Sequence, residues 1–140
     1  MDKQKLKQLK KYATLIRRHI IEEVYHAASG HPGGSLSCTD ILTVLYFHEM
    51  RVDIHNPQWP DRDRFVLSKG HCAPALYAAL AERGFFPVEE LPRFRSIDSY
   101  LQGHPSMKDV PGVDMSTGSL GQGFSASVGM ALAGKLDNKD

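Results

Sequence analysis

The sequence predicts an α/β layered fold, helix-rich and incomplete, on three observations. Helical and extended patterns follow one another as helix, loop, strand, loop, helix. The run 64–68 (RFVLS), apolar with a polar residue at each end, reads as the clearest strand. It is also the one convincing strand, whereas a parallel sheet flanked by helices needs several. The chain then closes on KLDNKD, directly after a helical pattern and where a further strand is expected, so residues 1–140 read as part of a domain.

The first element is a long amphipathic helix. Leu6, Leu9, Ala13, Ile16, Ile20, Val24 and Ala27 recur at spacings of three and four, which places them on one face. Gly30 supplies the expected stop, because glycine accepts the left-handed conformation that often closes a helix. Residues 29–37 (SGHPGGSLS) carry three glycines and a proline and predict a loop without regular structure. Ser37 and Asp40 form a cap-like S-x-x-D pattern ahead of a short helix containing Ile41, Leu42, Leu45 and Tyr46. After the strand, residues 73–83 predict a second helix stopped by Gly84. Residues 87–94 predict a shorter one opened by Pro87. The stretch 97–123 holds seven Gly and Pro residues and reads as a long loop, of the kind that is often functional. A final helix over 124–136 is rich in small residues, and Gly129, Ala131, Ala133 and Gly134 predict close packing on a neighbour.

Composition excludes several classes. Hydrophobic residues at 41% and charged residues at 24% are those of a globular domain. No apolar stretch reaches the roughly 20 residues that span a bilayer, and the N-terminus is too polar for a signal peptide. Cys38 and Cys72 follow no metal or redox spacing, so reduced thiols in a cytoplasmic protein are expected. Seven of the 17 Lys and Arg residues fall in the first 18 positions. They lack interleaved aromatics and any nucleic-acid motif, and read as a solvated helix face.

Three histidines share a setting: Gly30-His31, Gly70-His71 and Gly103-His104. Glycine permits close backbone approach, and imidazole exchanges protons near neutrality. Singly, each is compatible with a loop histidine bonded to nearby backbone. Converging, they would form a polar pocket suited to hydroxyls and phosphate oxygens. His19, His26, His48 and His55 lie on predicted helices or in a polar connection and call for no functional account. A zinc site lacks both an HExxH pair and a cysteine pair at ligand spacing. The loop 116–123 (STGSLGQG) opens the last helix and could present N–H groups to an anion or a flat heterocycle, although it is neither a P-loop nor a GxGxxG fingerprint.

Together SGHPGGSLS, LSKGHCAPALYA, LQGHPS and STGSLGQGFSASVGMALA resemble, in order and spacing, the N-terminal, diphosphate-binding part of transketolases. The resemblance implies a thiamine-diphosphate-binding fold and transfer of a two-carbon ketol unit from a ketose phosphate to an aldose phosphate. It implies catalytic roles for His31, at substrate hydroxyls, and for His104, near the reacting carbonyl. It implies cofactor contacts from His71 to the diphosphate and from Gly118, Ser119 and Leu120 to the aminopyrimidine region. Gly34-Ser35 and Ser119 depart from the Ala-Pro and Pro of many full-length members, and resemble the split form with separate N- and C-terminal subunits. The family's Mg2+ or Ca2+ ligands, a Gly-Asp-Gly segment and a later asparagine, are absent, so no metal ligand is expected here. The implied partner is a C-terminal, pyrimidine-binding subunit or domain, in a dimer or heterotetramer, with no nucleic acid or membrane partner. Isolated, the chain is expected to be inactive. The other readings are a non-catalytic fragment or association module, and part of an enzyme like 1-deoxyxylulose 5-phosphate synthase.

Overall fold

A computed structural model describes residues 2–139, and its regular elements are all helical. Helix α1 spans Lys3–Ala27, α2 Pro32–Ser37, α3 Thr39–Val44, α4 Ala73–Arg83 and α5 Gln122–Leu136. A π turn (Leu45–Glu49) extends α3, a 3-10 turn (Gly70–Cys72) leads into α4, and a second 3-10 segment (Val88–Arg93) follows it.

The core is built around α4. Residues 73–81 are all buried, as expected for a helix apolar on every side, and its alanines let neighbours approach closely. Ile16 and Ile20 of α1 meet it on one side; Leu42, Tyr46, Leu91, Phe94, Leu101, Val110 and Val113 complete the cluster. Gly84 closes α4 in the left-handed region at φ 101°, as its position predicted. Helix α1 opens with the Asp2 carboxylate accepting from the Lys5 N–H at 2.7 Å. The π turn leaves carbonyls without helical partners, and two cations take them: Lys5 Nζ donates to Phe47 O at 2.8 Å, and Arg83 Nε to Tyr46 O at 3.1 Å.

Several expectations are corrected. The stripe of α1 is Leu9, Ala13, Ile16, Ile20 and Glu23; Glu23, not Val24, continues it inward, and Leu6 is exposed. Helix α1 ends at Ala28, at φ 48°, two residues before Gly30. Gly30 instead lies against Val24, whose Cγ2 would stand 2.7 Å from an added Cβ. SGHPGGSLS is not irregular throughout, because Pro32 takes the first turn of α2, where its missing N–H costs nothing. Ser37 caps nothing: its hydroxyl donates to Gly34 O at 3.0 Å, and Asp40 pairs with Arg17 at 2.7 Å.

Residues 64–68 form no strand. Among the described residues no second extended segment pairs with them, and a strand needs a neighbour to bond. The segment is anchored by side chains instead. Asp114 accepts from the Phe65 N–H at 2.9 Å and from Arg62 Nη2 at 2.7 Å, and Thr117 Oγ1 donates to Leu67 O at 2.7 Å. The parallel sheet is therefore not seen in these residues. Nor does α5 pack closely through its small residues, since nothing lies within 4 Å of a Cβ built on Gly129 or Gly134. No helix is long and apolar enough to cross a membrane among the described residues.

Candidate functional site

The three Gly-His loops meet on one surface. His31 stands just before α2, its carbonyl accepting from the Ser35 N–H at 3.2 Å. His71 sits in the 3-10 turn that opens α4. Their rings contact edge-on, with centroids 4.8 Å apart and planes at 66°. His104 is held from below by α4: the Tyr77 hydroxyl is shared between Gln102 O at 2.8 Å and His104 O at 3.1 Å. Its ring adjoins Gly118, whose added Cβ would stand 3.7 Å from Cδ2.

Lys69 completes the cluster, its ammonium donating to Gly34 O at 2.6 Å and to Ser37 Oγ at 3.3 Å. The electrostatics report the same convergence. Partial desolvation, and then the charges of His31, His104 and Lys69, hold the His71 imidazole below its ordinary pKa. A neutral His71 keeps one N–H to donate.

The glycine-rich loop lies on the LSKGH segment. Gly70 leaves no room for a side chain, because a Cβ there would be 2.6 Å from Thr117 O. Ser68 Oγ accepts from the Phe124 N–H at 3.0 Å, so a residue of one loop satisfies the first turn of α5. Gly118 is half-buried, while Ser119 and Leu120 are exposed. His31, His71, His104 and Gly118 thus come together, and Ser119 and Leu120 follow Gly118 as exposed loop residues. Among the described residues no group of three His, Cys, Asp or Glu side chains is arranged to hold a metal ion.

The remaining histidines serve elsewhere; His19, for instance, lies between Glu22 at 3.1 Å and Glu82 at 2.8 Å. Sequence reasoning passed over Lys69, Tyr77, Arg95 and Thr117. Lys69 carried a local signal, a cation between Ser68 and Gly70; Tyr77 to Gln102, Arg95 to Ser29 and Thr117 to Leu67 reach across more than twenty residues and carried none. Imidazoles beside an ammonium on an accessible surface favour anionic and hydroxyl oxygens.

Residues 8–139 match the family described as "Transketolase, thiamine diphosphate binding domain". The chain belongs to that family. It is 53% identical over 130 residues to the 6-deoxy-6-sulfo-D-fructose transketolase subunit SqwG of Clostridium sp. (strain MSTE9), covering 93% of this chain and 47% of the relative. It is 48% identical over 124 residues to an apulose-4-phosphate transketolase subunit from Phocaeicola vulgatus, covering 89% and 44%. Human transketolase is 49% identical over 138 residues, covering 99% of this chain and 22% of the enzyme. Among solved structures, a Pichia stipitis transketolase in complex with sedoheptulose 7-phosphate superposes with a TM-score of 0.85 at 41% identity, over 89% of this chain and 18% of that one. The chain therefore spans less than half the length of these curated relatives. The two subunit relatives agree with the split form that Gly34-Ser35 and Ser119 suggested.

Proposed function

We propose that this chain is the N-terminal part of a transketolase that moves a two-carbon ketol unit from a ketose phosphate to an aldose phosphate. The observation that carries the reading is the convergence of His31, His71 and His104 beside Lys69 and the Gly118 loop. That donor set fits thiamine diphosphate: His71 and Lys69 would hold its diphosphate, and Gly118, Ser119 and Leu120 would border its aminopyrimidine region. When bound, the cofactor supplies the carbanion chemistry of ketol transfer.

This chain's own share is binding and proton handling. His31 donates to sugar hydroxyls and carries protons there, and His104 donates to the donor carbonyl oxygen as charge develops on it. The Mg2+ or Ca2+ that would accompany the diphosphate would require ligands beyond these histidines and loop residues. A C-terminal, pyrimidine-binding subunit or domain completes the site, in a dimer or heterotetramer in the cytoplasm. The exposed apolar residues of α5, Phe124, Val128, Leu132 and Leu136, support assembly with further protein, and this feature also favours the association-module reading.

The test is a coupled assay of the chain with its pyrimidine-binding partner, thiamine diphosphate and Mg2+. Ketose phosphates and 6-deoxy-6-sulfo-D-fructose serve as donors against an aldose phosphate, with pyruvate plus glyceraldehyde 3-phosphate run in parallel. Ketol transfer without pyruvate consumption is expected. Pyruvate-dependent product would point to the 1-deoxyxylulose 5-phosphate synthase reaction. No thiamine-dependent turnover at all would favour the association module.

A further inference from the structure

Arg95 joins two of the three histidine loops. Its backbone is left-handed at φ 63°, a conformation disfavoured for a residue with a Cβ. Its N–H donates to Leu101 O at 2.8 Å, closing the turn that leads to Gly103-His104. This aims the guanidinium between the loops. Nη1 donates to the hydroxyl of Ser29, two residues before His31. The Nε–Nη2 edge faces Gly103, immediately before His104: a Cβ there would stand 2.9 Å from Nε and 3.0 Å from Nη2. The guanidinium carbon lies 5.3 Å from the centre of the Phe94 ring, itself buried in the core.

Nε is buried and has no acceptor. Of the two guanidinium edges that could grip a phosphate or carboxylate, Nε–Nη2 lies against Gly103, and the Nη1 of the other is taken by the Ser29 hydroxyl. Arg95 is therefore badly placed to bind a substrate anion and well placed to set the distance between two loops. His71 is held differently, through Lys69 on Gly34 and Gly70 on Thr117, contacts that do not involve Arg95.

We infer that Arg95 is a positioning residue that fixes His31 relative to His104, while the diphosphate end of the site stands without it. The inference rests on the transketolase reading for its catalytic consequence. Its geometric content, the coupling of two histidine loops, does not.

The test has an arm for each. In histidine-selective NMR of the 140-residue chain, Arg95→Ala should move the ring signals of both His31 and His104 and leave those of His19 and His48 in place. Gly103→Ala keeps the guanidinium but crowds it, and should move the same two signals. In the assembled enzyme, Arg95→Ala should lower kcat about tenfold or more, with the thiamine diphosphate Kd held within about twofold. Arg95→Lys should recover part of the loss. Ser29→Ala should cost less in the Arg95→Ala background than in the wild type, as expected for residues that act as one unit. If Arg95→Ala does not fold, Gly103→Ala and Ser29→Ala decide the question alone. Unmoved His31 and His104 signals overturn the inference whatever the enzyme does, as does a Kd that weakens as much as kcat falls. A wild-type assembly without activity overturns the transketolase reading and leaves the NMR arm to decide the coupling.

Discussion

Glu23 is fully buried, and neither carboxylate oxygen has a hydrogen-bond partner. Desolvation pushes its pKa well above the ordinary 4.5, so the folded chain keeps this proton where the unfolded chain has released it. The sign follows from linkage. Stability from this group is full below the ordinary value and falls as pH rises toward the raised folded value. Glu23→Gln should flatten that slope above the ordinary carboxylate pKa in thermal unfolding, and Glu23→Met should raise the Tm most at the upper end of that range. A wild-type Tm rising across that window would contradict both. His71 moves the other way. Its pKa lies below the ordinary 6.5 in the free chain, and a bound anion would raise it. Diphosphate binding to the complete assembly should therefore take up protons near neutrality. Calorimetry in two buffers of different ionisation enthalpy measures this, and net proton release would contradict it.

At the scale of elements, α4 and α5 are both apolar and have opposite fates. Helix α4 is enclosed by α1, α3 and the 3-10 segment Val88–Arg93, so residues 73–81 are all buried. Helix α5 buries Gly123, and leaves Phe124 at 69%, Leu132 at 59% and Leu136 at 83% exposure. Its Phe124, Val128, Leu132 and Leu136 repeat every fourth residue, which forms a continuous apolar strip. Leu132→Lys should leave the unfolding midpoint of this chain unchanged within about 0.5 kcal/mol, because little packing is lost. In a pull-down or sedimentation experiment with the pyrimidine-binding partner, the same substitution should weaken assembly. A stability loss as large as that of a core truncation would show instead that α5 is packed on this chain in solution.

For the whole molecule, the histidine cluster and the exposed α5 strip point the same way. The chain gathers three histidines on one surface and leaves an apolar strip of α5 exposed. Among the described residues there is no cluster to hold a metal ion. Thiamine diphosphate titrated into the 140-residue chain should therefore bind weakly and with no gain from Mg2+. On the proposed reading, addition of a pyrimidine-binding partner should tighten that binding. Micromolar, Mg2+-dependent binding to the chain alone would overturn this expectation.

Much of this was legible locally. Helix α4 with its Gly84 stop, the 97–123 loop and the three Gly-His pairs follow from side-chain period, left-handed tolerance and turn chemistry, all of which act within a few residues. The family resemblance ordered those loops and named His31, His71, His104, Gly118, Ser119 and Leu120; the fold brings the three histidines and Gly118 together. Contacts between distant residues decided the rest. Glu23, not Val24, takes the inward face of α1, and helical period alone cannot separate adjacent positions. RFVLS stays unpaired because a strand exists only beside another strand. Ser37 turns to Gly34 and Lys69 in place of capping α3. Local propensities are worth a few tenths of a kcal/mol each, whereas burial and tertiary hydrogen bonds are each worth about 1 kcal/mol or more. Where the two compete, as in residues 64–68, which Asp114 and Thr117 hold from about fifty residues away, the distant partner prevails.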